Sequence, residues 1–250
     1  MEKLLSLVMD IAEQMLVSGA EVHRAEESVT RMCKALGFVR TDVFIITSSI
    51  VVTAFLEDGK SFTQSRRITA SGTDYEKLHR LNDLSRKICS SSMTVEEISE
   101  KLNEAKATKS YPFWAECICY SVIAAAFTLF FGGNVPQMWV SLAVGLVVRF
   151  GILFVDKTLP NKIFSKFFSA VIATTLAYTA VKLGIIHDVD KVIIGNIMTL
   201  IPGIGLTNAL RDLFTGDSIA GLLRSIEAVL IALAIAAGYY LVAVIGGFIV

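Results

Sequence analysis

The sequence predicts an α+β domain that lives in water, ordered ααββαα, followed by an all-α membrane domain of five transmembrane helices, the fourth broken at Pro202-Gly203. Three observations predict this. Charge is unevenly spread: residues 1–110 hold 15 of the 23 Lys and Arg and 16 of the 23 Asp and Glu. The hydrophobic period changes from helical to strand-like and back within that stretch. The remainder is dominated by apolar runs of the length a bilayer core requires, roughly 20 residues. The domain boundary is therefore placed at 110/111.

The elements follow in order. Leu4, Leu5, Val8, Ile11, Ala12, Met15 and Leu16 share one helical face, and Gly19 ends or bends that helix. Asp10 and Glu13 interrupt its apolar run, so it is not read as a secretory signal. Val22, Ala25, Val29, Met32, Cys33 and Leu36 repeat the pattern up to Gly37. "TDVFIITSSIVVTAFL" is rich in β-branched and aromatic residues and reads as one strand. "EDGK" reads as a hairpin turn and "SFTQSRRITA" as the returning strand. "TDYEKLHRLNDLSRKIC" is a helix capped by Thr73 or Asp74. "TVEEISEKLNEA" is another, with Thr94 and Glu97 spaced as a capping box.

Trp114–Phe131, Val135–Val155, Phe167–Ile186 and a stretch within Ile219–Val250 each qualify as a span. Val192–Leu206, "VIIGNIMTLIPGIGL", is about 15 residues long and short for a straight crossing. Pro202 lacks an N–H, and Gly203 and Gly205 leave helical geometry at little cost, so its last turn is expected to unwind. Lys101, Lys106 and Lys109 precede the first span, Lys157, Lys162 and Lys166 follow the second, and Arg211 and Arg224 follow the fourth. The positive-inside rule then puts the N-terminal domain in the cytoplasm and the C-terminus outside. Arg149 and Lys182 are read as snorkelling to the two interfaces.

Composition narrows the function. With 54% hydrophobic and 18% charged residues and no net charge, nothing suggests nucleic acid. Cys33, Cys89, Cys117 and Cys119 fit no zinc or redox spacing, and His23, His79 and His187 are scattered. No nucleophile–base set or metal cluster is visible, so neither enzyme chemistry nor a cofactor is expected. Unwound backbone at membrane depth is tolerated only where it is buried in protein or lines a wet cavity, and transporters use such breaks to hold charged ligands. The candidate substrate and proton pathway is therefore Asn196, Pro202, Gly203, Gly205, Asn208, Arg211, Asp212, Asp217, Arg224 and Glu227. Arg211 would attract a carboxylate, and Asp212 or Glu227 would carry a proton. Asp217 also reads as a plain N-cap of span five. In the soluble part, "SGAEVHRAEESVTR" crowds Glu21, His23, Arg24, Glu26, Glu27 and Arg31 into three turns, as a solvated face or as an ionic knot. A membrane-anchored cytoplasmic domain with binding or hydrolytic activity is the alternative reading.

Two stretches together, "SGAEVHRAE" and "PGIGLTNALRDLFTGDSIAGLLRSIEA", resemble the threonine/serine exporter family, specifically its YjjP-like N-terminal half. The resemblance covers nearly the whole chain and implies export of threonine, serine or small dicarboxylates driven by the proton gradient, across the plasma (inner) membrane. It maps onto Pro202, Gly203, Asn208, Arg211, Asp212, Gly216, Asp217, Gly221, Arg224 and Glu227, and onto Ser18, Gly19, Arg24 and Glu26, with Glu21 beside them. The partners implied are the lipid bilayer, a small polar substrate, a second small membrane subunit and, in an oligomer, further copies of the chain.

Overall fold

The computed structural model describes residues 1–69, 72–108, 111–158 and 161–247. Lys109, counted above among the topology-setting charges, Ala70 at the end of the expected returning strand, and the C-terminal 248–250 lie outside the described residues. The elements are α1 (Glu2–Val17), α2 (Val22–Ala35), β1 (Arg40–Ile46), β2 (Ser49–Phe55), β3 (Ser61–Arg67), α3 (Tyr75–Ser90), α4 (Val95–Lys106), α5 (Phe113–Phe130), α6 (Val135–Thr158), α7 (Lys162–Lys182), α8 (Asp190–Met198), α9 (Gly203–Thr215) and α10 (Ser218–Gly247). They form two compact units, Met1–Ser110 with Leu206–Ser225, and Tyr111–Gly205 with Ile226–Val250.

In the first unit the expected two strands are three. β1, β2 and β3 make an antiparallel meander, with Ile46 opposite Ser49 and Phe55 opposite Ser61. The single long strand read from "TDVFIITSSIVVTAFL" folds back on itself at Thr47–Ser48. Small hydroxyl residues in the middle of an apolar run are a turn signal, and here they outweigh the β-propensity on either side. The expected order ααββαα is thus corrected to ααβββαα. Ile50, Val52 and Ala54 of β2 are fully buried against α1, whose Leu5, Met9, Ile11, Ala12 and Met15 form the other side of the core. Ala220, at the start of α10, joins the same core. The capping box of α4 forms as its spacing predicts: Thr94 Oγ1 accepts from Glu97 N–H at 3.3 Å and Glu97 Oε2 accepts from Thr94 N–H at 2.8 Å.

Gly19 joins α1 to α2 with φ +96°, a conformation that disfavours a side chain. Its amide bonds Leu16 O at 3.1 Å and the Ala20 amide bonds Met15 O at 3.0 Å, closing α1. This turn sets the position of Ser18, Ala20 and Glu21.

In the second unit α5, α6 and α7 are long and apolar enough to cross a membrane, as is α10 over Ser218–Ile245. α8 and α9 pass the same test only together, as one apolar pair bent by 54° at a short break. α5, α6 and α8 pack closely through small residues. A Cβ on Gly145 would meet Ser121 Cα at 3.0 Å, and one on Gly195 would meet Thr128 Oγ1 at 2.1 Å. Membrane helices lack the drive to hide apolar surface from water, so close backbone approach and interhelical hydrogen bonds hold them together.

Candidate functional site

The first unit brings the two motif stretches together. The start of α2 needs an acceptor for its free amides, and Glu21 at the N-cap supplies no side-chain bond. Asp212 of α9 supplies one instead: its Oδ1 accepts from Val22 N–H at 3.3 Å. Asp212 is 1% exposed, and its other oxygen accepts from Arg224 Nη1 at 2.9 Å. Arg224 Nη2 donates in turn to Ala20 O at 3.0 Å. Arg211 pairs with Glu21. A carboxylate at a helix N-terminus, neutralised by a guanidinium, satisfies dipole, donors and charge at once. The crowded charges of α2 are therefore an ionic knot at Glu21 and a solvated face further along, where Glu27 and Arg31 make an exposed pair at 2.5 Å.

Around this clamp, Glu26 Oε1 accepts from Ile45 N–H at 3.0 Å and ties α2 to β1. Burial lifts the Glu26 carboxyl above the usual carboxylate range; the Ile45 amide opposes this, Asp217 adds to it, and His23 opposes it. The folded unit thus holds the Glu26 proton more tightly than the unfolded chain. The stability this gives is full below pH 4.5 and lost as pH rises through the folded value. Glu26→Gln removes that dependence, so wild-type melting temperature should fall relative to the variant as pH rises above 4.5; parallel curves would show that Glu26 ionises freely. Ser18 is 2% exposed, and neither its Oγ nor the buried Asp217 Oδ2 has a hydrogen-bond partner among the described residues. Arg24 is exposed and makes no ion pair among the described residues, and Asn208 is half-buried.

The second unit holds Asn196, Pro202, Gly203, Gly205 and Glu227. The unwound residues are Thr199–Pro202; Gly203 and Gly205 already lie in the first turn of α9, without positive φ. The helical break is thus made by Pro202, which cannot continue α8, and not by glycine freedom. Asn196 is 1% exposed. Its Nδ2 donates to Ser141 Oγ at 3.3 Å and Val192 O at 2.9 Å, while its Oδ1 is buried without a partner among the described residues. Ser141 Oγ lies 2.5 Å from Thr128 Oγ1, so α5, α6 and α8 share a buried polar triad. Glu227 is half-exposed, with Lys162 Nζ 3.7 Å away.

Arg149 does not snorkel. It pairs with Glu116 of α5, its guanidinium 5.0 Å from the Phe113 ring and 5.7 Å from that of Tyr120. The reading of single helices missed this pair because it joins two helices. Thr128 and Ser141 were missed too, although lone hydroxyls in apolar spans are a readable sign of interhelical bonding. Lys182 is exposed at the end of α7. A hollow of about 640 Å³ beside α4, lined by Lys3, Glu96, Glu100 and Asn103 among others, contains none of the motif residues.

A family model described as "Putative threonine/serine exporter" matches residues 6–246. The chain belongs to the threonine/serine exporter family. Among relatives of this exporter family, it is 26% identical over 239 residues to a "Probable threonine/serine exporter" of Mycobacterium tuberculosis, covering 94% of this chain and 45% of that protein. It is 23% identical over 237 residues to a "Probable succinate transporter subunit YjjP" of Klebsiella aerogenes, covering 93% of this chain and 90% of that one. It is 24% identical over 253 residues to "Pheromone-regulated membrane protein 10" of Candida albicans, 97% of this chain and 22% of that protein. The chain thus spans less than half the length of the mycobacterial and fungal relatives. No solved structure matches it.

Proposed function

We propose that this exporter-family chain is one subunit of a secondary transporter. It moves threonine, serine or a small dicarboxylate out of the cell against an inward flow of protons. Residues 1–110 form a domain that faces the cytoplasm and 111–250 the membrane domain, and the C-terminus lies outside the plasma (inner) membrane. The observation that carries this reading is the interruption at Thr199–Pro202 in an apolar helix pair, with the unsatisfied Asn196 Oδ1 one turn before it. Broken backbone beside a buried, unpaired polar atom is costly in lipid unless a polar ligand uses it. Glu227, half-exposed and loosely held by Lys162, is the proton-carrying carboxylate of the two considered. Asp212, enclosed between Arg224 and the Val22 amide, holds position. Arg211, 56% exposed despite its pairing with Glu21, draws in the substrate carboxylate. The names of the relatives support the substrate classes, and a second membrane subunit supplies the remaining spans.

The test is efflux of labelled threonine, serine and succinate from proteoliposomes holding this chain with and without the second subunit. Gradient-dependent efflux is expected only with both, and Arg211→Ala should abolish it while leaving the protein inserted. Full efflux from this chain alone would remove the second subunit, and efflux indifferent to pH would remove proton coupling.

A further inference from the structure

The pair between α5 and α6 has no part in the pathway above. A lone arginine inside a span costs about 2.5–3.5 kcal/mol on insertion scales, so its surroundings are informative. Phe113, Glu116 and Tyr120 fall at i, i+3 and i+7, one stripe of α5 that presents a ring, a carboxylate and a second ring to the Arg149 guanidinium. Both rings lie within cation–π reach of the guanidinium, a contact that leaves its N–H groups to hydrogen-bond elsewhere.

The pair is not saturated. Of the five N–H donors of an arginine, one, on Nη2, is committed to Glu116 Oε2, and no other bond from Arg149 forms among the described residues. The second Glu116 oxygen likewise has no donor among them. Neither side chain is sealed off: Arg149 is 16% and Glu116 33% exposed. The Arg224–Asp212 clamp differs. There the guanidinium spends two nitrogens on two acceptors, and the carboxylate, 1% exposed, uses both oxygens.

Spare cationic and spare anionic hydrogen-bonding capacity therefore sit side by side between α5 and α6, flanked by aromatic faces. The complementary ligand carries one anion and one cation a few ångströms apart. We infer that Glu116 and Arg149 form a substrate site for the zwitterion of an α-amino acid, Arg149 taking the carboxylate and Glu116 the ammonium. The ligand inserts by exchange. Each charge of the pair is handed a new partner of the same sign as the one it releases, so no charge is left unpaired. A dicarboxylate would neutralise Arg149 but set its second carboxylate against Glu116. Asp156 and Lys166, the nearest other charges, are of opposite sign, and Lys162, which acts on Lys166, is itself paired with Glu227, so together they supply no net counter-charge. The site thus selects amino acids over dicarboxylates, a choice that the names of the relatives leave open. This rests on the transport reading above.

The test is ligand-induced thermal stabilisation of the full chain in nanodiscs. The ligands are threonine, serine, threoninamide, N-acetylthreonine and succinate. Threonine and serine are expected to raise the melting temperature. Threoninamide lacks the carboxylate and N-acetylthreonine the ammonium, and neither should act. Arg149→Lys should weaken threonine at least tenfold. Glu116→Gln should weaken threonine by a similar factor and make succinate a ligand, a gain that misfolding cannot imitate. Stabilisation by N-acetylthreonine or succinate equal to that by threonine would overturn the site, as would no response to any ligand, or unchanged threonine binding in both variants. Efflux separates the two readings. Threonine efflux that survives in both variants removes this site alone, whereas no efflux from the wild-type chain with its second subunit removes the transport reading.

Discussion

Asp212→Ala is expected to destabilise the first unit by about 3 kcal/mol, the lower end of what removing one partner from a buried ion pair costs. Asp212 is 1% exposed and Arg224 18% exposed, so the guanidinium would remain largely desolvated with no counter-charge. The same change leaves the Val22 amide without its acceptor at the start of α2. A lost helix cap alone costs about 1 kcal/mol. Asp212→Asn separates the two effects, because an amide oxygen can still accept from Val22 while the charge is gone. It should keep the cap but lose the counter-charge, and so melt between the wild type and Asp212→Ala. Melting temperature, measured on both variants, decides the matter. Wild-type melting in Asp212→Ala would show that the clamp holds nothing together.

Gly195→Ala carries the second large effect. The added Cβ would lie 2.1 Å from Thr128 Oγ1 and 2.8 Å from both Ala124 O and Thr128 N. Two of these three atoms are backbone, so no side-chain rotation relieves the contact, and α8 must move off α5. Overpacking of this kind typically costs about 1–3 kcal/mol and here also pulls at the Thr128–Ser141–Asn196 bonds. Accumulation of membrane-inserted protein should fall several-fold. Gly203→Ala is the control: nothing lies within 4 Å of its Cβ position, so it should accumulate as the wild type does. Equal yields from the two variants would mean that α5 and α8 are not held as closely as described.

The parts legible in the sequence were those written in local pattern. Apolar runs announced the membrane helices because lipid accepts little else, and Thr94 with Glu97 announced the start of α4. Thr47–Ser48 was overlooked because a two-residue turn of hydroxyls is faint beside long β-branched runs on both sides. The Asp212 contact with α2 joins residues 190 apart, and no periodicity reports on that. Within a polar link, a fully buried aspartate looks the same as a solvated one. The Phe113, Glu116, Tyr120 stripe was open to reading, but its partner depends on how α6 is rotated against α5, which two nearly uniformly apolar helices do not reveal.

The clamp at Asp212 has a consequence for biosynthesis. The first unit is discontinuous: residues 206–225 complete what residues 1–110 begin. When the ribosome has finished the N-terminal portion, the start of α2 has neither its aspartate nor the arginine that tethers Ala20. Those arrive only after α5 to α8 have been synthesised. The earliest-made part of this protein is among the last to be completed, and a fragment cut before α5 would be a nascent intermediate rather than a finished domain.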